Sequence, residues 1–239
     1  MAVGIIIDRE IIVQRFDPDS GEPGRKERFT VPLDDEATVL QALQYIYENL
    51  DPTLAFEYAC RYGRCGLCAV EVNGRPLLAC TAFITKDKTA VAPLSNLPVI
   101  RDLQVDRGPL EKLLISEEIF FCGPGQGPGI TAAARNLDGK QLFPPVRAPA
   151  DLGRILRCIE CLCCHAACPR LDHSPAGLKH FAGPYVFIKL AQLHLDPRDL
   201  KNRKAQARAL GIEQCSECRR CTCPQGIPLY RMAIEPLLD

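Results

Sequence analysis

Cysteine is the residue in this chain whose number and spacing promise chemistry. There are 14 cysteines among 239 residues, against four histidines. The first group is Cys60, Cys65 and Cys68, joined by Cys80 after a short gap. A C-x4-C-x2-C run with a distal fourth cysteine is the spacing of plant-type [2Fe–2S] sites. Two sulfide-bridged irons need two thiolates each, so a tight loop can supply three and a neighbouring strand the fourth. Gly63 and Gly66 let the loop backbone approach the cluster and aim amides at its sulfurs. A structural zinc site favours paired C-x2-C knuckles and fits this spacing poorly.

The second group is Cys158, Cys161, Cys164 and Cys168, followed by Pro169. This is the bacterial two-cluster run, in which three cysteines hold one cubane and the fourth ligates another. The third group is Cys215, Cys218, Cys221 and Cys223, followed by Pro224. The simplest assignment crosses over. Cys158, Cys161 and Cys164 take Cys223 as the fourth ligand of a [4Fe–4S] cluster, and Cys168 joins Cys215 and Cys221 on a third. Cys122 and Cys163 fall outside this assignment and read as buried structural thiols. A disulfide framework is the competing reading, and a reducing compartment disfavours it.

The elements that must position these groups differ between the two halves. Ile11 to Phe16 is rich in β-branched residues and stops at Asp17-Pro18-Asp19-Ser20-Gly21, a turn signal. Arg28 to Val31 is its expected antiparallel partner. Thr38 caps a predicted helix whose apolar stripe is Val39, Leu40, Leu43, Ile46, Tyr47 and Leu50, ended by Pro52. Ala69–Val72 and Arg75–Leu78 flank Asn73-Gly74, which favours a type I′ hairpin. A small twisted sheet over one helix follows. A boundary is expected between Val105 and Pro109, beyond which β signals thin out. Ile130–Leu137 and Phe181–Leu195 are predicted helical, and Asp199–Leu210 is a predicted charged helix carrying Lys201, Arg203, Lys204 and Arg208. The segment from Phe121 to Gly129 is glycine-rich but lacks the Gly-Lys-Ser/Thr end of a phosphate loop, and reads as a surface loop.

Composition bounds the function. Basic and acidic residues balance at 29 each, which argues against a nucleic-acid partner. No apolar run approaches the ~18–20 residues that span a bilayer, so a direct transmembrane segment is not expected. The N-terminus lacks the features of a signal peptide. The expected location is the cytoplasmic side of the cell membrane, reached through partner subunits, or the cytoplasm itself.

Taken as a set, these motifs make the chain resemble the iron–sulfur subunit of the succinate dehydrogenase and fumarate reductase family. The resemblance rests on Arg15-Phe16-Asp17-Pro18, Thr38-Val39-Leu40, Asp51-Pro52-Thr53-Leu54, Cys60 to Cys80 with Asn73-Gly74, Pro98 to Leu103, the run from Cys158 to Pro169, Gly183-Pro184 and Cys223-Pro224. It implies an α+β architecture: an N-terminal β-grasp, plant-type ferredoxin-like domain (residues 1–106) and a C-terminal all-α, helical ferredoxin domain (residues 107–239). It also implies a flavoprotein partner carrying FAD, and often a membrane-anchor subunit that handles quinone. The chain itself then carries electrons as a subunit of an oxidoreductase, and no catalytic acid or base is named in it.

Three departures from the family stand out. The family usually has a [3Fe–4S] cluster in third place, with an apolar residue where this chain has Cys218. A thiolate there suits a [4Fe–4S] cluster instead, so the third cluster is [3Fe–4S] or [4Fe–4S]. Only Thr222 separates Cys221 from Cys223, two residues fewer than in the family, so Cys218 and Cys221 can exchange roles. Finally, the family's quinone-pocket tryptophan is absent, and Arg170-Leu171-Asp172-His173 takes its place, with Ser216 after the first cysteine of the last group. Asp172 or His173 is a candidate proton-handling group, against the alternative of a solvated loop. These departures keep a second circuit open, in which the same relay serves a flavin-dependent reductase with a soluble ferredoxin or thiol partner.

Overall fold

The computed structural model describes residues 6–20, 24–123, 148–172 and 175–239. Strand β1 (Ile7–Arg15) alternates polar and apolar side chains toward its end, burying Ile11, Val13 and Arg15. It pairs antiparallel with β2 (Arg25–Leu33), with Ile11 opposite Phe29. Helix α1 (Val39–Tyr45) opens with a capping box between Thr38 and Gln41, which satisfies two otherwise orphaned N–H groups. The hairpin β3 (Ala69–Val72) and β4 (Arg75–Leu78) turns through Asn73 and Gly74, both at positive φ, as a type I′ turn requires.

A strand that the sequence pattern does not announce joins these hairpins. Strand β5 (Lys88–Ala92) lies between them, parallel to β1 and antiparallel to β3, giving the order β2-β1-β5-β3-β4. Its sequence, Lys-Thr-Ala-Val-Ala, carries only Val91 as a large apolar residue. Its pairing partners, not its own pattern, make it a strand. A two-stranded ribbon, β6 (Val99–Arg101) and β7 (Gln104–Val105), ends the first half.

The expected stripe on α1 is only partly observed. Val39, Leu40, Leu43 and Ile46 are buried, but Tyr47 and Leu50 are about half exposed. The final turn (Ile46–Leu50) is π-helical, closed by Asp51 N–H donating to Ile46 O at 2.7 Å. That wider turn rotates the last residues off the buried face.

The second half is helical: α2 (Gly108–Ser116), α3 (Ala150–Ile155), α4 (Cys163–Ala166), α5 (Pro175–His180), α6 (Gly183–His194), α7 (Arg203–Ala209) and α8 (Glu235–Leu238). Helix α6 is the hub. It starts at Pro184 in its first turn, buries Tyr185 to Ile188 and Leu190-Ala191, and packs against α3, α4, α7 and the turn Tyr230–Ile234. The expected helix at Ile130–Leu137 and most of the glycine-rich loop lie outside the described residues. The charged helix is shorter than expected, and Arg203 does not face solvent. It is fully buried, donating to Asp199 through Nε (2.9 Å) and Nη2 (2.7 Å) and to the carbonyls of Glu118 and Phe120. Among the described residues no helix is long and apolar enough to cross a membrane. One continuous apolar core runs through both halves.

Buried Arg15 ties the first half together. Its guanidinium reaches Asp102 Oδ1 (2.9 Å), Glu27 Oε2 (2.8 Å), Thr53 Oγ1 (2.9 Å) and Asp51. Burial alone would raise the Asp51 pKa, but hydrogen bonds from Thr53 and Arg15 hold it down at about 2. A depressed carboxylate contributes stability above its unfolded pKa of ~3.9 and loses it as pH falls through the folded value. Acid should therefore destabilise the protein between about pH 4 and pH 2 partly through this site. Arg15→Met, which strands buried Asp102, should cost ~3–5 kcal/mol in chemical unfolding at neutral pH and should flatten the Asp51 part of the acid limb. An unchanged acid limb in the variant would contradict this assignment.

Candidate iron–sulfur centres

The first thiol group is built by the loop between the turn Ile46–Leu50 and β3, with Cys80 just beyond β4. Arg61, Gly63 and Gly66 all sit at positive φ, which turns successive N–H groups inward. Gly63 N–H donates to Cys80 Sγ at 3.1 Å and Arg64 N–H to Cys60 Sγ at 3.2 Å. The N–H groups of Arg64 and Tyr62 hold the Cys60 thiol down at about 7. Burial, reinforced by the neighbouring Cys80, pushes Cys68 up to about 12. The N-terminus of α1 positions the last thiol: Leu40 N–H donates to Ala79 O (2.9 Å) and Val39 N–H to Ala82 O (2.8 Å). Ala79 N–H in turn donates to Cys68 O at 2.9 Å.

Cys60 lies within hydrogen-bonding reach of Cys65, and Cys68 of Cys80, and Cys65 also acts on Cys68. Among the described residues no three Cys, His, Asp or Glu side chains converge to hold a single metal ion. A two-iron cluster asks for two thiolates on each iron, and this arrangement fits that demand.

Cys158, Cys161, Cys164 and Cys223 line one small cavity of about 10 Å³, together with Tyr185, Ile188 and Pro224. Glu160 and Leu162 take positive φ in the loop, and α4 begins at once after it. Burial, then the facing thiols, raises Cys158 and Cys164, with Cys161 and Cys223 acting on both. Cys163 points into the core, fully buried, and its thiol hydrogen-bonds Cys161, holding that thiol down at about 7.

The third group gathers Cys168, Cys215, Cys218 and Cys221. Burial pushes Cys215 to about 12 and Cys221 to about 11, and each faces both Cys168 and Cys218. Cys168 is raised by burial and, among the thiols, by Cys218. Cys218 and Cys221 thus both lie within electrostatic reach of Cys168 and Cys215, where the sequence offered Cys218 either as an added fourth thiol or in place of Cys221. Cys221 also faces Cys164, so the second and third groups adjoin. Grouped, largely buried thiols suit an iron cluster, which supplies the positive charge that thiolates need.

The remaining candidates stand apart. Cys122 serves through its backbone, its N–H donating to Asp199 Oδ2 and its carbonyl accepting from Leu200. Asp172 is exposed at the edge of a cavity shared with Asn96, Lys112 and buried His165. His173 lies outside the described residues. Ser216 is exposed and its carbonyl accepts from Tyr230 Oη at 3.2 Å.

Two side chains that no spacing pattern singles out, Asn96 and Gln225, join the halves at the thiol loops, and a third, Arg107, ties the start of the second half to one of those loops. Asn96, itself at positive φ, donates from Nδ2 to the carbonyls of His165, Ala166 and Cys168, each at 3.0 Å. Gln225 Nε2 donates to Gly63 O at 2.8 Å, linking the residue two beyond Cys223 to the first loop. Arg107 Nη1 donates to Glu160 O at 3.2 Å. No local motif marks them, because each partner is far away in sequence. The closest approach is at Gly66, where an added Cβ would lie 2.5 Å from Ile159 O and 3.0 Å from Cys161 Cα.

Gly66→Ala should therefore cost more than its backbone conformation alone. The left-handed φ of +76° costs an L-residue ~1–2 kcal/mol. Gly74 has the same φ of +76° but open space around it, so Gly74→Ala isolates that part. Chemical unfolding of both variants should place Gly66→Ala clearly below Gly74→Ala. Equal losses would mean that the two loops do not touch there.

Comparison with known proteins agrees with this geometry. Residues 10–112 match the family model of the 2Fe-2S iron-sulfur cluster binding domain, and residues 157–228 that of the 4Fe-4S dicluster domain. The chain is 33% identical to a component of the fumarate reductase (CoM/CoB) of Methanothermobacter marburgensis, over 94% of its own length and 42% of that protein. It thus spans about two fifths of the first curated relatives it matches. It is 32% identical to the fumarate reductase iron-sulfur subunit of Mycobacterium tuberculosis, covering 93% of this chain and 89% of that one. A chain of the Mycobacterium smegmatis Sdh1 complex, solved in the apo form, superposes with a TM-score of 0.78 at 27% identity, covering 98% of this chain and 95% of that chain. The α+β fold, both cluster-binding domains and likeness over nearly the whole chain together place this protein in the family of iron–sulfur subunits of fumarate reductase and succinate dehydrogenase.

Proposed function

We propose that this chain is the electron-carrying subunit of a fumarate reductase or succinate dehydrogenase type complex, relaying electrons between an FAD-bearing flavoprotein and a second redox partner. The observation that carries this reading is the adjacency of the three thiol groups: the first loop meets the second at Gly66 and Cys161, and Cys164 of the second lies within electrostatic reach of Cys221 of the third. Bound iron–sulfur clusters pass one electron at a time. The division falls between residues 106 and 107, each domain contributing its own cysteine loops.

In this proposal Cys60, Cys65, Cys68 and Cys80 hold a [2Fe–2S] cluster, and Cys158, Cys161, Cys164 and Cys223 a [4Fe–4S] cluster. Cys168, Cys215, Cys218 and Cys221 hold the third. That Cys218 lies within electrostatic reach of Cys168, Cys215 and Cys221 favours a third cluster of the [4Fe–4S] type, with Cys218 as its fourth thiol. The protein's part is to exclude water, to hold the thiolates, and to tune each potential through amide hydrogen bonds and burial. The flavin chemistry on a dicarboxylate belongs to the partner. A membrane anchor would place the complex at the cytoplasmic face of the membrane.

A second reading keeps the relay and replaces the anchor with a soluble thiol or ferredoxin couple. It is favoured by the relative whose name carries CoM/CoB and by the absence of any tryptophan in the chain. Anaerobic purification of the native complex separates the two. A flavoprotein with a quinone-binding anchor supports the first, and a flavoprotein with soluble redox proteins the second.

Iron analysis with electron paramagnetic resonance tests the cluster assignment. The expected content is about ten irons per chain, from one two-iron and two four-iron clusters. Cys218→Ser should lose about one iron and show a three-iron signal when oxidised. A three-iron signal from the undamaged, oxidised wild type would sink the four-iron third cluster. A chain without iron would sink the relay.

A further inference from the structure

Helix α6 does more than fill the core, because one turn of it faces the cavity enclosed by Cys158, Cys161, Cys164 and Cys223. Tyr185 and Ile188 line that cavity, as does Glu160 from the loop between Cys158 and Cys161. Lys189 is four residues beyond Tyr185 and so lies on the same side of the helix. Its ammonium pairs with Glu160 Oε1 and sits 5.7 Å from the centre of the Tyr185 ring. Tyr185 Oη donates to Glu160 Oε2 at 3.2 Å. The side chain of Lys189 is only 21% exposed. Arg107 holds the Glu160 carbonyl through Nη1 at 3.2 Å. A cation is thereby fixed against a cluster loop by an ion pair, a ring and a buried helix, where a freely solvated lysine would be screened.

We propose that Lys189, positioned by Glu160 and Tyr185, sets the reduction potential of the cluster held by Cys158, Cys161, Cys164 and Cys223. The inference rests on the proposed relay. Reduction adds one electron to the cluster and makes it more negative. A fixed cation nearby favours the reduced form, and a fixed anion opposes it. Glu160 therefore has two effects of opposite sign: it holds the lysine in place, and its own charge partly offsets the lysine's. The electrostatic pull of Lys189 on Cys158, and of Arg107 on Cys161, has the same sense. This use of α6 explains a charged residue on an otherwise buried helix, and a glutamate held at positive φ between two ligand positions.

The test is a redox titration of the native complex, followed by electron paramagnetic resonance, with iron content measured alongside. Lys189→Met should lower the midpoint potential of the second cluster, and Lys189→Arg should restore it toward wild type. Glu160→Gln keeps the lysine and removes the anion, so it should raise the potential. Tyr185→Phe keeps both charges and should shift it less than either. Shifts of opposite sign at constant iron content are a signature that loosened packing does not produce. If Lys189→Met loses iron, Glu160→Gln and Lys189→Arg still decide the matter. Unshifted potentials, or shifts of one sign in both charge variants, would overturn the inference while leaving the relay intact. Absence of any second-cluster signal in the wild type would overturn the relay and this inference together.

Discussion

Cysteine thiols packed face to face in a protein interior are the constraint on which this structure turns. Burial and mutual repulsion push several of them well above the ordinary thiol range, as at Cys68, Cys164 and Cys215. Such groups serve as ligands only if positive charge and aimed N–H dipoles compensate the thiolate. The backbone supplies the dipoles where loops enter left-handed conformations, at Arg61, Gly63, Gly66, Glu160 and Leu162. Each loop is strained so that the sulfurs can be solvated by amides rather than by water. Regular elements on either side hold that strain: β3, β4 and the start of α1 for the first group, α4 and α6 for the second.

The second requirement is that the groups lie in a row without a gap. A flexible joint between the halves would separate the first group from the others. Here the joint is a packed interface with specific polar links. Asn96 gathers three carbonyls at the end of the Cys158–Cys168 run, and Gln225 holds the first loop through Gly63. Gly66 permits backbone to meet backbone where any side chain would keep the loops apart. The same close approach that makes this glycine necessary brings the first two thiol groups near each other. Stability and electron transfer thus depend on the same contacts.

Buried ionic groups do comparable work away from the thiols. Arg15 joins β1 to β2, to the loop at Asp51 and to the ribbon at Asp102. Arg203 joins α7 to the end of α2, with a bidentate pair to Asp199 and two carbonyls. Pairs of this kind owe their worth to completeness, because removing one partner leaves a charge buried and uncompensated.

The amino-acid sequence alone determined the thiol groups and two of their spacings, because C-x4-C-x2-C and C-x2-C-x2-C-x3-C are local patterns. It likewise determined the Thr38 cap and the Asn73-Gly74 turn, since both are settled within four residues. It did not reveal β5, whose strand character comes from its neighbours, nor the burial of Arg203, whose partners lie up to 85 residues away. It overstated the α1 stripe, because a π-turn changes which residues share a face. It left Cys218 open, as an added fourth thiol or a substitute for Cys221, and only the tertiary structure brought both within electrostatic reach of Cys168 and Cys215. Gly66 was legible as a glycine that lets the loop approach a cluster. That it also lets a second loop approach the first depended on how the two halves dock, a matter of long-range packing that no local spacing encodes.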